Sequence, residues 1–175
     1  HVYIERRMIP LNIYLREAAT RLASLDGEGD RNAFARLPVI LVAYSGGYLP
    51  AAWSLEVGGA GKRVKGVILL DAVYDETDKF ADWIADHQAS AFFFSAFSAS
   101  SADVNGALQD ALMNQGVEFT TDRPHCLETG DVVFLDTGEG AAHADFVSHA
   151  WTDDPLTWVF DRIAGLQRGL PKSGC

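Results

Sequence analysis

Val39-Ile40-Leu41-Val42-Ala43-Tyr44-Ser45-Gly46-Gly47-Tyr48 is the stretch that decides how the chain is read. An apolar run, Val39 to Tyr44, ends on one serine, and two glycines follow. Leu49 to Leu55 then reads as a helix that tolerates Pro50 because it falls in the first turn. Strand, sharp turn with serine at its tip, helix: this is the layout of a nucleophile elbow. Such a turn forces the serine backbone into a strained conformation, so its neighbours must be small. Ser45 would then raise its hydroxyl above a sheet, and the Gly46 N–H would point where an oxyanion forms, at a helix N-terminus that favours negative charge. The five residues run Ala43-Tyr44-Ser45-Gly46-Gly47, with alanine where the usual pattern G-x-S-x-G has glycine. The structural alternative is a glycine-rich turn that carries a serine by chance.

Outward from the elbow, helical and extended segments alternate. Leu11 to Leu25 has Ala18, Ala19, Leu22 and Leu25 at helical spacing, with Arg16, Glu17 and Arg21 facing outward. Pro38 marks the start of the strand Val39–Tyr44, whose two apolar faces suit a central parallel strand. The helix after Ser45 fades at Val57-Gly58-Gly59-Ala60-Gly61. Those glycines do not make a phosphate loop, since they follow a helix and Glu56 stands where the first glycine should be. Val64 to Leu70 is the next strand, with Asp71 at its C-terminal end. Asp75, Glu76 and Asp78 open a helix as caps and dipole partners, with Phe80, Trp83 and Ile84 on one face. Ala91 to Phe97 is a third strand, Asp103 to Gln115 a helix closed by Gly116, and Val132 to Leu135 a fourth strand. Asp154-Pro155 starts a last helix, with Leu156, Val159, Phe160, Ile163 and Leu166 as its buried stripe.

This alternation predicts an α/β fold: a parallel sheet with helices on both faces. Sites in such sheets lie at the C-terminal strand ends, where Ser45, Asp71, Ser98 to Asp103 and the loop holding His143 all fall. The whole chain, 1–175, reads as one domain, a normal size for 175 residues.

Composition narrows the partners. The formal net charge is -10, with 14 basic against 24 acidic side chains, and no Lys/Arg cluster exceeds two residues. That argues against nucleic acid or an anionic membrane surface, and no apolar run reaches the length of a membrane span. Cys126 and Cys175 are the two cysteines; their spacing neither demands nor forbids a bond, and the compartment stays open. His143, Asp145 and His149 match no zinc spacing, so no metal and no cofactor is expected.

A serine hydroxyl needs a base within hydrogen-bond reach, and the base needs a carboxylate. The chain offers these groups in the order Ser45, then Asp71 or Asp103, then His143, which is the order of α/β-hydrolases. On Val42-Ala43-Tyr44-Ser45-Gly46-Gly47, Leu69-Leu70-Asp71-Ala72-Val73-Tyr74 and His143-Ala144-Asp145-Phe146, the sequence resembles that superfamily, in particular bacterial members of poorly defined substrate. The resemblance runs from the strand before Ser45 to the last helix. It implies an esterase- or lipase-like serine hydrolase acting on a small-molecule acyl substrate. Ser45 is then the nucleophile, His143 the base, Gly46 an oxyanion donor, and Tyr44 and Tyr48 candidates to line the acyl pocket. His149 is the rival base. For the acid, most of the superfamily uses the loop that here holds Asp103, and a lipase-like subset uses the preceding strand end, where Asp71 stands; Asp71, Asp103 and Asp75 all remain open.

The resemblance also implies strands ahead of the nucleophile strand and a loop there that supplies the second oxyanion N–H. Only 38 residues precede Val39. The chain therefore reads as the C-terminal half of such a fold with its N-terminal strands missing. Partners consistent with that are the separate N-terminal half or a second copy. The competing function is a catalytically inactive binding or assembly module of the same fold.

Overall fold

The computed structural model describes residues 10–27 and 30–166. Four strands form one parallel sheet: β1 (Val39–Tyr44), β2 (Val64–Leu70), β3 (Phe92–Phe97) and β4 (Val132–Asp136), in the spatial order β1-β2-β3-β4. Around them lie α1 (Leu11–Leu25), the short α2 (Arg31–Phe34), α3 (Tyr48–Val57), α4 (Thr77–His87), α5 (Ala102–Asn114) and α6 (Pro155–Phe160). The α/β class and the parallel sheet are as expected.

The strands sort their side chains with period two, as a pleated strand must. Val67 and Leu69 of β2, Phe93 and Phe97 of β3, and Val132 and Phe134 of β4 enter one core, together with Leu55 of α3, Phe80 and Ile84 of α4, and Leu108 and Leu112 of α5. Ile68, Leu70, Phe94, Ala96, Val133 and Leu135 enter the other, covered by Phe146, Val159 and Ile163. Each strand lies beside its predecessor, and crossovers share one hand, so successive crossover helices fall on one face. Here those are α3, α4 and α5, and the chain beyond β4 covers the opposite face. Gly66 is required by packing: a Cβ there would stand 2.2 Å from the ring of Phe92 on the paired strand.

Three expectations are corrected. First, β1 pairs only with β2 among the described residues and lies at the sheet edge, with Val42 40% exposed; its apolar side chains do not make it central here. Second, α1 has the predicted bounds, but Ala19 is its one buried residue, while Leu22 and Leu25 are exposed. Third, α6 ends at Phe160, so Leu166 is exposed and no stripe runs that far. The chain leaves the helix to form a bridge between Ile163 and Leu127, with the Leu127 N–H donating to the Arg162 carbonyl at 2.7 Å.

The start of α4 also differs in kind. Glu76 sits at the N-cap without a side-chain cap bond. It is buried, and its carboxylate meets Lys79 Nζ at 2.9 Å. The same ammonium reaches Glu56 of α3 at 3.4 Å and lies 4.7 Å from the centre of the Trp53 ring. Lys79 thus ties α3 to the turn that follows Asp71. Cys126, in the connection from α5 to β4, is disulfide-bonded; the other cysteine, Cys175, lies outside the described residues. Among the described residues no helix is long and apolar enough to cross a membrane.

Candidate active site

Ser45, Asp71 and His143 lie at the C-terminal ends of β1, β2 and β4, and the fold brings them together. His143 Nε2 stands 2.8 Å from Ser45 Oγ, and His143 Nδ1 stands 2.6 Å from Asp71 Oδ2. A carboxylate can only accept, so Nδ1 carries the proton and Nε2 is left to accept from the serine hydroxyl.

The local backbone explains the placement. β1 ends at Tyr44, and Ser45-Gly46-Gly47 forms a tight 3-10 turn that opens α3. Ser45 has φ 55°, in the left-handed region. Non-glycine residues enter that region at a cost and concentrate at functional sites. A Cβ on Gly47 would lie 3.4 Å from the Ala43 Cβ. The small residues two before and two after Ser45 therefore face each other, and alanine fits where the usual pattern has glycine. Asp71 also has a positive φ, 42°, where its short polar side chain is better tolerated than most.

Asp71 is fully buried, and donors surround it. Its Oδ1 accepts from the Ser98 N–H at 3.1 Å, the Ser98 hydroxyl at 3.1 Å and the Ser101 hydroxyl at 2.5 Å. Its Oδ2 accepts from His143, from the Ser98 hydroxyl at 3.2 Å and from the Tyr74 hydroxyl at 3.4 Å. Burial pushes the carboxyl up, but the bonds from Ser101, His143 and Ser98 together outweigh it and hold Asp71 below the ordinary carboxylate value. The buried group is therefore ionised at neutral pH.

His143 opens a 3-10 turn, His143–Val147, with Phe146 fully buried as its anchor. The Asp145 carboxylate accepts from the Ala142 N–H at 2.8 Å and closes the turn. The Tyr44 ring stacks on the imidazole at 4.8 Å, and its hydroxyl donates to the His143 carbonyl at 3.2 Å. Tyr74 meets the imidazole edge-on at 6.3 Å, with its hydroxyl 3.3 Å from Nδ1. The imidazole side chain remains 40% exposed, open to an incoming molecule.

The other candidates are placed apart from this cluster or beside it. Asp103 is exposed in the first turn of α5, and Asp75 is exposed and accepts from the Glu76 N–H. His149 is exposed and faces Asp145 at 3.3 Å. Tyr48 is half-buried at the start of α3 and packs against Tyr74 at 5.9 Å. Tyr44, proposed as a pocket residue, is turned to the histidine. The sequence places Ser98 to Asp103 at a strand end and includes Tyr74 in the stretch Leu69 to Tyr74, but assigns no role to Tyr74, Ser98 or Ser101, which the structure brings onto Asp71. Among the described residues no group of three or more His, Cys, Asp or Glu side chains could hold a metal ion. A groove of about 400 Å³ lies along α1, lined by Tyr14, Glu17, Ala18, Arg21 and Leu22, none of them part of the site.

Comparison of the chain with family models, with curated proteins and with solved structures gives no match.

Proposed function

We propose that the protein is a serine hydrolase of the α/β-hydrolase type, cleaving an ester, thioester or amide through Ser45, His143 and Asp71. The observation that carries this reading is the hydrogen-bonded series Ser45 Oγ, His143 Nε2, His143 Nδ1, Asp71 Oδ2, with Ser45 strained at the tip of a strand-turn-helix. A buried carboxylate held ionised, an imidazole fixed in one tautomer and a hydroxyl on its far nitrogen are what proton removal from serine requires.

In this mechanism His143 Nε2 takes the Ser45 proton as Oγ bonds to the acyl carbon. Asp71 stabilises the imidazolium that forms. The carbonyl oxygen becomes an oxyanion, and the Gly46 N–H at the head of α3 donates to it. His143 then protonates the departing alkoxide, thiolate or amine as its bond to the acyl carbon breaks. Water attacks the acyl-enzyme with His143 again as base, and the acid leaves with Ser45 restored. The mechanism asks nothing of a metal or redox group.

Stopped-flow hydrolysis of a p-nitrophenyl ester tests the reading. The full chain is expected to release a burst of nitrophenolate equal to about one equivalent per chain, the mark of a covalent acyl-enzyme. A folded chain with no burst and no turnover above Ser45→Ala would instead favour the non-catalytic binding module.

A further inference from the structure

The polar network around Asp71 does not stop at the carboxylate. Ser101 is buried, and its carbonyl accepts from Asn105 Nδ2 at 2.9 Å. Asn105, one turn into α5, is fully buried, and its Oδ1 accepts from the hydroxyl of Ser95 on β3 at 2.8 Å. Ser98, also buried, shares a 2.8 Å bond with Ser100. Ser95, Asn105 and Ser101 therefore form a bonded path from the middle of β3 through α5 to the acid, within an otherwise apolar layer. Buried polar groups of this kind are costly unless fully bonded, and fully bonded they fix a single arrangement.

We infer that the loop after β3 serves the acid rather than supplying one: Ser98 and Ser101 are positioning residues that hold Asp71 Oδ1, and Asn105 holds Ser101. Resting on the hydrolase reading, the inference gives this loop a function that Asp103, exposed nearby, does not have. Three donors on Oδ1 fix the carboxylate plane, so Oδ2 is presented to His143 Nδ1. They also spread the negative charge away from Oδ2. Without them the remaining charge would be more basic, and the Asp71–His143 pair would bind its first proton at higher pH. The proton sits on the pair in that state, and Ser45 has no base.

The test is the rate at which a fluorophosphonate labels Ser45, followed across pH in wild type, Ser98→Ala, Ser101→Ala and Ser101→Thr, with folding checked by circular dichroism. Ser101→Ala is expected to lose about tenfold at neutral pH, the equivalent of one hydrogen bond to a charged group. Its acidic limb is expected to move to higher pH. Ser98→Ala, which keeps the backbone donor, is the milder change and moves the limb the same way. Ser101→Thr keeps the hydroxyl and stays near wild type. Alanine variants that fold and lose rate with the limb unmoved, or lose nothing, would overturn the inference while leaving Ser45 reactive. A wild-type chain whose Ser45 is never labelled defeats the hydrolase reading itself, and the inference with it.

Discussion

Asp71→Asn is expected to lower turnover of an activated ester about ten-thousand-fold, the scale seen when a triad acid becomes an amide. Asp71 is an acceptor on both oxygens, with donors from Ser98, Ser101, Tyr74 and His143 arranged around it. Asparagine has one acceptor oxygen and one donor group. If its oxygen keeps the serines, its NH₂ faces His143 Nδ1. The imidazole must then carry its proton on Nε2, the nitrogen that should accept from Ser45. Turnover within tenfold of wild type would remove Asp71 from the mechanism and return the choice to Asp103 or Asp75. The same substitution has a stability signature. The native Asp71 carboxyl lies below its ordinary value, so the unfolded chain takes up the proton first as pH falls. The stabilisation that Asp71 contributes is thus complete above the ordinary carboxylate range and is lost as pH falls through the lower native value. Denaturation of wild type and Asp71→Asn should therefore differ at neutral pH and converge in strong acid.

Phe146→Ala is expected to cost about 3–5 kcal/mol, the usual range for emptying a buried phenylalanine site. Phe146 is fully buried in the core layer formed by Phe94, Val133 and Leu135, and its ring meets Trp151 at 6.0 Å. Small proteins have about 5–15 kcal/mol in total, so this is a large share. Phe146 also lies in the same short turn as His143, three residues on. The loss should therefore lower Ser45 reactivity beyond what the unfolded fraction explains. Urea denaturation with parallel rate measurement separates the two effects. A cost below about 1 kcal/mol would show that the turn is held by something else.

The strand and helix order was legible because β2, β3 and β4 are largely apolar runs, broken only by Lys65 in β2, Ser95 in β3 and the closing Asp136 of β4, and such runs between polar turns admit few other readings. The elbow was legible for a similar reason: few arrangements place one serine between an apolar strand and two glycines. What periodicity could not show is which apolar stripe is covered. In α1 the residues 11, 15 and 19 turn toward the protein and Leu22 and Leu25 do not, although both sets have helical spacing. The apolar character of β1 likewise says what the strand could pair with, and the described sheet gives it one neighbour. The acid was ambiguous because Asp71, Asp75 and Asp103 all follow strand ends. In the structure Asp71 is buried and bonded to Ser98, Ser101 and Tyr74, while Asp75 and Asp103 are exposed; those bonding partners are distant in sequence or unremarkable in it. Tyr44 adjoins Ser45, which makes it a candidate pocket residue, and its ring also stacks on His143. A strand alternates its faces, and the face that holds Tyr44 is the one His143 packs against.

The most direct test of the central claim is peptide mapping of the fluorophosphonate adduct on the full chain at neutral pH. The account predicts one adduct, on the peptide holding Ser45, absent in Ser45→Ala and reduced by several orders of magnitude in His143→Ala. A folded chain that forms no adduct, or forms it on another serine, would contradict an activated nucleophile at the end of β1.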